Sequence, residues 1–474
     1  MNMRFEDTIV APATIPGTGA ISIIRVSGPD ALALSDKVVH LRNGSIASSK
    51  GYTIHYGDVT LEDGSRLDDV LVSVFRNPHS YTGEDSVEIS CHASRYIAEQ
   101  ILSLLCRAGA RMAGPGEFTQ RAFVNGKMDL AQAEAVADVI AAQSAAAHKV
   151  AYSQMRGHFS KELEQMSDEL VDMTSLLELE LDFSEEEVEF ADRSKLNSLL
   201  EGLLAHVSRL IDSFRLGNAI KNGVPVAIVG AANSGKSTLL NALLGEDRAI
   251  VSDIAGTTRD SIEETLNIDG ILFRFIDTAG IRETGETIEK IGIDRAFKKL
   301  SEADIVLAVV DGSSEAVEIE ANLKEILGRI DFASQTLIIL VNKADKAAND
   351  GFNKNVTIIN NLVSSIDRQV DTLQIAAKSG EGLDSLRKML ADKKKIQIES
   401  ADSTLITNVR HLEALREART SMLRVRESLE AGIPSDLVAQ DLREAIATLN
   451  SILGRHIDST TILNHIFKNH CIGK

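Results

Sequence analysis

Cysteine is scarce in this 474-residue chain: Cys91, Cys106 and Cys471 are odd in number and far apart. They supply neither a disulfide framework nor a metal-ligand spacing, which points to a reducing cytosolic compartment. No apolar run approaches the roughly 18 residues that a membrane span requires. Met1 to Val10 carries Glu6 and Asp7 and has no apolar core of the signal-peptide kind, so no export is expected. Basic charge is also short: 50 Lys and Arg stand against 69 Asp and Glu, a net charge of −19. That balance argues against loose, backbone-driven attachment to nucleic acid, though it leaves room for a local basic face or a basic partner. Acid is unevenly spread. Glu178 to Glu189 holds seven acids and no base, which reads as a solvated helix end or loop.

What the chain does have is organised around Gly230 to Leu239, G-A-A-N-S-G-K-S-T-L. The run follows a β-branched stretch, Val226 to Val229, and opens onto a helical pattern at Leu239, Leu240 and Leu243. This is a phosphate-binding loop in its required context, a strand before and a helix after. Glycines let backbone amides turn toward phosphate oxygens, and the helix N-terminus adds a favourable dipole. Lys236 then reaches the β- and γ-phosphates, and the Ser237 hydroxyl ligates Mg²⁺. Asn233, Ser234, Gly235 and Thr238 complete the loop.

Length predicts about three domains. Residues 1–125 read as a small α+β domain. Its strands are expected at Ile21–Val26, Tyr52–Thr60, Asp69–Phe75 and Val87–Ser90, with helices from Asp30 to Val38 and Ala93 to Ala108. At Asp129 the pattern turns helical. Asp129 to Gln132 has capping-box spacing, and Leu130, Ala133, Val136, Ala137 and Ile140 fall on one face. Helical periodicity continues, with a break near Gly157, through Leu177 and again over Leu196 to Phe214. It returns at Leu405–Leu429 and Leu437–Leu453. The expectation is one helical domain in two pieces, 126–221 and 394–474, with an α/β domain, 222–393, inserted between them. Strands of the insert are expected at Val226–Val229, Glu264–Ile268, Leu272–Asp277, Ile305–Val310, Thr336–Val341 and Gln374–Ala376. A doubly wound sheet of this kind places its ligand beyond the carboxyl ends of its strands.

The remaining motifs fall at those ends. In Asp277-Thr278-Ala279-Gly280 the carboxylate can hold Mg²⁺ through water, and the Gly280 amide can meet the γ-phosphate. Asn342-Lys343-Ala344-Asp345 selects the base, because a carboxylate at Asp345 accepts from N1–H and the 2-amino group of guanine. Adenine offers neither donor and is rejected. In Ala376-Ala377-Lys378 a backbone amide can read guanine O6. Four such elements in this order indicate a GTPase. Between them, Ser252-Asp253-Ile254-Ala255-Gly256-Thr257-Thr258-Arg259-Asp260 can close over the γ-phosphate, with Thr258 as second protein ligand of Mg²⁺. The residue after Asp277–Gly280, where small GTPases carry a water-orienting Gln, is Ile281. Glu283, Glu286, Glu289 and Arg282 are the candidates to replace it.

Taken together, the loop with Asn233, the D-I-A-G-T-T-R-D segment, the apolar Ile281, the terminal Cys471-Ile472-Gly473-Lys474, Arg25-Val26-Ser27-Gly28 and the run Asn125 to Ala135 resemble the MnmE (TrmE) family of tRNA-modifying GTPases over the full length. The resemblance implies a Ras-like GTPase domain, an N-terminal tetrahydrofolate-binding-like domain that makes a homodimer, and GTPase domains that meet across their nucleotides. It implies K⁺ in place of an arginine finger, held by Asn233, Ser252, Ile254 and Thr257, and Glu289 as a remote acid that helps orient water beside catalytic Lys236 and Thr258. It also implies a 5-formyl- or 5,10-methylene-type tetrahydrofolate on Arg25, Glu88, Lys127 and Lys474. The implied partner is the flavoprotein MnmG (GidA), in a heterotetramer that builds an aminomethyl-type (carboxymethylaminomethyl) group at C5 of the tRNA wobble uridine in the cytoplasm. Cys471 reads equally as a nucleophile or as a reduced terminal thiol. A ribosome-assembly switch GTPase is the alternative, but residues 395–474 lack the G-x-x-G clamp of a KH module. A dynamin-like remodeler would need a membrane-facing segment that is not evident.

Overall fold

The computed structural model describes residues 5–182, 193–245, 264–276, 300–346, 350–366, 368, 370–400, 404–455, 467 and 473. The chain divides into two compact units: Met1–Ala141 with Ala151–Arg209 and Val409–Lys474, and Ala142–Val150 with Leu210–Asn408.

In the first unit seven strands form one sheet: β1 (Ile9–Pro12), β2 (Ile21–Ser27), β3 (Val39–Leu41), β4 (Thr53–Thr60), β5 (Arg66–Phe75), β6 (Ser86–His92) and β7 (Arg111–Met112), in the order β3-β4-β5-β6-β2-β1-β7. Alternation along each strand divides the residues between two faces. Val70, Val72 and Val74 of β5 are buried with Ile24, Val26, Val87 and Ile89, against Leu32, Ile101 and Leu105 of the helices Ala31–Val38 and Arg95–Ala108. The other face leaves Ile54, Tyr56 and Leu71 exposed, the last two paired across β4 and β5. The sequence pattern anticipated β2, β4, β5 and β6. It did not show β1, β3, β7 or the helix Glu117–Val124, which are too short to carry a period of their own.

The helical part of this unit begins with a complete capping box. The Asp129 amide donates to Gln132 Oε1 at 3.0 Å, and the Gln132 amide donates to Asp129 Oδ1 at 2.9 Å. Leu130, Ala133 and Val136 of the helix Leu130–Ala141 are buried, but Ile140 is exposed, because the helix stops one residue later. The helix Ala145–Met155 follows, and Gly157, at φ +80°, separates it from His158–Asp182. Leu163, Met166, Leu170, Met173 and Leu177 of that long helix are all buried, as their spacing requires. The helix Ser435–Ile452 packs on both His158–Asp182 and Val409–Glu430, so stretches far apart in sequence share one core. Glu134 joins them further: its carboxylate accepts from Arg410 at 2.9 Å and from His411 at 2.7 Å.

The second unit holds a six-stranded sheet in the order β13-β12-β11-β8-β10-β9. Its strands are β8 (Val224–Val229), β9 (Glu264–Ile268), β10 (Ile271–Ile276), β11 (Ile305–Asp311), β12 (Thr336–Asn342) and β13 (Asp371–Gln374). All neighbours are parallel except β9 and β10. Helices cover both faces: Leu239 and Leu243 of Lys236–Leu244 with Leu386 of Leu383–Ser400 on one, Leu323 of Ala316–Leu327 with Phe352 of Asp350–Ser364 on the other. Burial on both faces explains the unbroken apolar run Ile305–Val310. The last strand corrects the sequence expectation of Gln374–Ala376. The ladder ends at Gln374, and Ala376 instead bridges Glu381, its amide donating to the Glu381 carbonyl at 2.9 Å. Among the described residues no helix is long and apolar enough to cross a membrane.

Candidate nucleotide-binding site

From β8 the chain passes to β10 on one side and later to β11 on the other, so the strand order reverses at β8. That switch point is where an open α/β sheet leaves a crevice, and Gly230 begins there. Two glycines shape the loop. Gly230 stands at φ +150°, and a Cβ on it would lie 2.1 Å from the Val309 carbonyl oxygen. Gly235 stands at φ +101°, and a Cβ would lie 2.1 Å from Asn342 Nδ2. Neither position tolerates a side chain. Asn233 is left-handed as well, at φ +59°, a conformation Asn accepts more readily than most residues.

The helix Lys236–Leu244 starts at once after Gly235, so its first amides and the half-buried Ser237 border the crevice while Thr238 is exposed. Lys236 Nζ reaches back across the loop to the carbonyls of Gly230 and Ala231 at 2.9 and 2.7 Å. Burial pulls its pKa below the usual lysine value.

Asn342 ties three motifs into one body. Its Nδ2 donates to the Ser234 carbonyl at 2.8 Å, and its Oδ1 accepts from the Ala377 amide at 3.0 Å. Ala376 and Ala377 are buried, whereas Lys378, next in the chain, and Asp345, in the turn after β12, are exposed. Lys343, at φ +68°, bonds through Nζ to Asp311 at the end of β11. Asp311 belongs to none of the sequence motifs; its only signal in the sequence is an acid closing the apolar run of β11. Strand β10 ends at Ile276, immediately before Asp277. Asp277, Thr278, Ala279, Gly280, Glu289 and the segment Ser252, Asp253, Ile254, Ala255, Gly256, Thr257, Thr258 lie outside the described residues, as do Ile281, Arg282, Glu283, Glu286, Cys471 and Lys474.

A second constellation sits in the first unit. Arg25 of β2 pairs with Glu88 of β6 across the sheet, Nε to Oε1 at 2.9 Å, and donates through Nη1 to the Gly473 carbonyl at 3.2 Å. Its guanidinium lies 5.4 Å from the Tyr81 ring centroid and 5.7 Å from that of Phe118. Neither ring was evident from sequence, because each arrives from a loop or short helix. Lys127 turns to the Pro78 carbonyl at 3.0 Å.

A glycine-rich loop at the switch point of a parallel sheet, cross-tied to an Asn-Lys-x-Asp turn, defines a P-loop nucleotide-binding domain within a larger chain. The family model described as "GTP-binding protein TrmE N-terminus" matches residues 8–127, and that described as "MnmE helical domain" matches residues 130–471. The "tRNA modification GTPase MnmE" of Bacteroides thetaiotaomicron is 50% identical over 471 residues, covering 99% of this chain and 100% of that protein. Its namesake in Porphyromonas gingivalis is 47% identical over 473 residues, covering 99% and 98%. Among solved structures, an Aquifex aeolicus Era variant bound to GDP.AlF4- is 27% identical over 42% of this chain and 66% of its own, with a TM-score of 0.27. The G domain of the T. maritima FeoB iron transporter is 25% identical over 37% and 99%, with a TM-score of 0.25. The chain belongs to the MnmE (TrmE) family.

Proposed function

We propose that this protein is the GTP-hydrolysing subunit of a tRNA wobble-uridine modification complex. The observation that carries the nucleotide reading is Asn342, which locks the phosphate loop, the base-reading turn and the Ala376–Lys378 loop together. The protein is a GTPase of tRNA modification. Loop amides and Lys236 hold the phosphates, Asp345 reads guanine N1–H and the 2-amino group, and a backbone amide of the Ala376–Lys378 loop reads O6. Ser237 and Thr258 would hold Mg²⁺; hydroxyl oxygens suit that cation, and Ser237 stands in the first turn of the helix. Asn233, Ser252, Ile254 and Thr257 would hold K⁺. Bound there, these cations would supply fixed positive charge to stabilise the developing phosphate charge. Glu289 orients the attacking water.

The N-terminal pair Arg25 and Glu88 fits a tetrahydrofolate derivative. The acid matches the amino-pyrimidine edge of the pterin, Arg25 holds that acid in place through their ion pair, and Tyr81 and Phe118 present flat apolar surface. The bound folate would supply the one-carbon unit; Lys127 and Lys474 would add charge for its carboxylates. The functional segments are 1–125 for folate and dimerisation, 126–221 and 394–474 for the helical domain, and 222–393 for GTP. The exposed apolar side chains on the first sheet support homodimerisation, and the net charge of −19 fits a division of labour in which a flavoprotein partner, MnmG, supplies much of the tRNA-binding surface in the cytoplasm. GTP hydrolysis should be measured in K⁺ and in Na⁺ at equal ionic strength. Hydrolysis confined to K⁺ is expected. Equal rates would remove the K⁺ assignment, and no hydrolysis in either would remove the GTPase reading.

A further inference from the structure

Strand β11 ends on Asp311, and the loop after it is built to hold that carboxylate in place. Asp311 Oδ1 accepts from the Ser313 amide at 2.9 Å and from the Ser313 hydroxyl at 2.6 Å. The Gly312 amide donates to the Asn342 carbonyl at 3.0 Å, and a Cβ on Gly312 would lie 2.2 Å from the Phe352 ring. From the same helix as Phe352, the buried Asn355 amide donates to the carbonyls of Gly312 and Ser314 at 3.0 and 2.9 Å. The free end of this assembly is Asp311 Oδ2, and it accepts from Lys343 Nζ.

We propose that Asp311 is a positioning residue for Lys343, holding the lysine of the base-recognition turn ready for the guanine nucleotide. The proposal rests on the guanine-nucleotide reading of this site. A lysine side chain has several rotatable bonds, and a ligand that had to order them alone would bind more weakly. A carboxylate that fixes the ammonium beforehand removes that cost. It takes one of three N–H donors and leaves two for nucleotide and loop. Burial alone would raise the Asp311 pKa, but Lys343 and Ser313 outweigh it and hold the carboxyl below its usual range, so it is ionised at neutral pH. Lys343 is already committed to a left-handed backbone at φ +68°, which fixes the root of the side chain while Asp311 fixes its tip.

The test is release of a fluorescent (N-methylanthraniloyl) GDP from the full chain, followed by stopped flow. Asp311→Asn is expected to speed release about threefold to tenfold. Asp311→Glu, which keeps the charge, should stay within about twofold of the parent, a rescue that a purely structural loop residue would not show. Lys343→Met should also release faster, and Asp311→Asn combined with it should be no faster than Lys343→Met alone. An Asp311→Asn variant matching the parent, or two effects that multiply in the double variant, would overturn the positioning role. A parent chain that does not retain the fluorescent nucleotide would overturn the guanine-site reading itself, a distinct outcome.

Discussion

In the proposed reading Asp345 carries base specificity through a single carboxylate, an assignment made from sequence because the chemistry leaves little choice. Guanine presents two adjacent donors, and only an acceptor-only side chain with two oxygens meets both. Asp345→Asn should lower affinity for GTP at least about a hundredfold, because the amide presents a donor to a donor. It should raise affinity for the xanthine nucleotide, whose C2 carbonyl accepts from that amide. Competitive binding with both nucleotides checks this, and unchanged preference would refute the assignment. Asp311, Tyr81 and Phe118 were not legible in the same way. Each matters only through a partner remote in sequence (Lys343 or Arg25), and no local period records such a meeting.

Elements with a strong period or an explicit cap were legible from sequence. Asp129 and Gln132 announced a helix start and form both reciprocal bonds, and Gly157 marked a helix break. Two-residue β7 and four-residue β1 were not, since they exist through pairing with each other and with β2. How the helix Leu130–Ala141 is held to Val409–Glu430 was also hidden. Glu134 is nearly buried between Arg410 and His411; burial would raise its pKa, but hydrogen bonds from His411 and Arg410 bring it down to about 2. A carboxyl depressed on folding contributes stability above its unfolded pKa and loses it as pH falls toward the folded value. The parent should therefore exceed Glu134→Gln in stability at pH 6, by on the order of 3 kcal/mol. That margin should shrink between about pH 4.5 and 2. Urea unfolding across this range checks the slope, and a margin independent of pH would contradict it.

At the scale of the whole molecule, the first sheet is covered by helices on one face and leaves Ile54, Tyr56 and Leu71 exposed on the other. Exposed apolar side chains close together on one sheet face suit an interface, and the proposed homodimer would cover them. Leu71→Asp should shift the chain toward monomer by light scattering while its melting temperature stays near that of the parent. A dimer of unchanged affinity would move the interface elsewhere. Sequence indicated a dimer through family resemblance alone, because exposure on a sheet face depends on which strands become neighbours. The same holds for the acidic balance of the chain, which excludes little about a complex whose other subunit brings its own charge.

The most direct test of the central claim is mass spectrometry of wobble nucleosides in tRNA from cells lacking this gene. The account predicts loss of C5 aminomethyl-type modifications, restored by the intact gene and not by Lys236→Ala. Unchanged nucleosides in the deletion strain would contradict it.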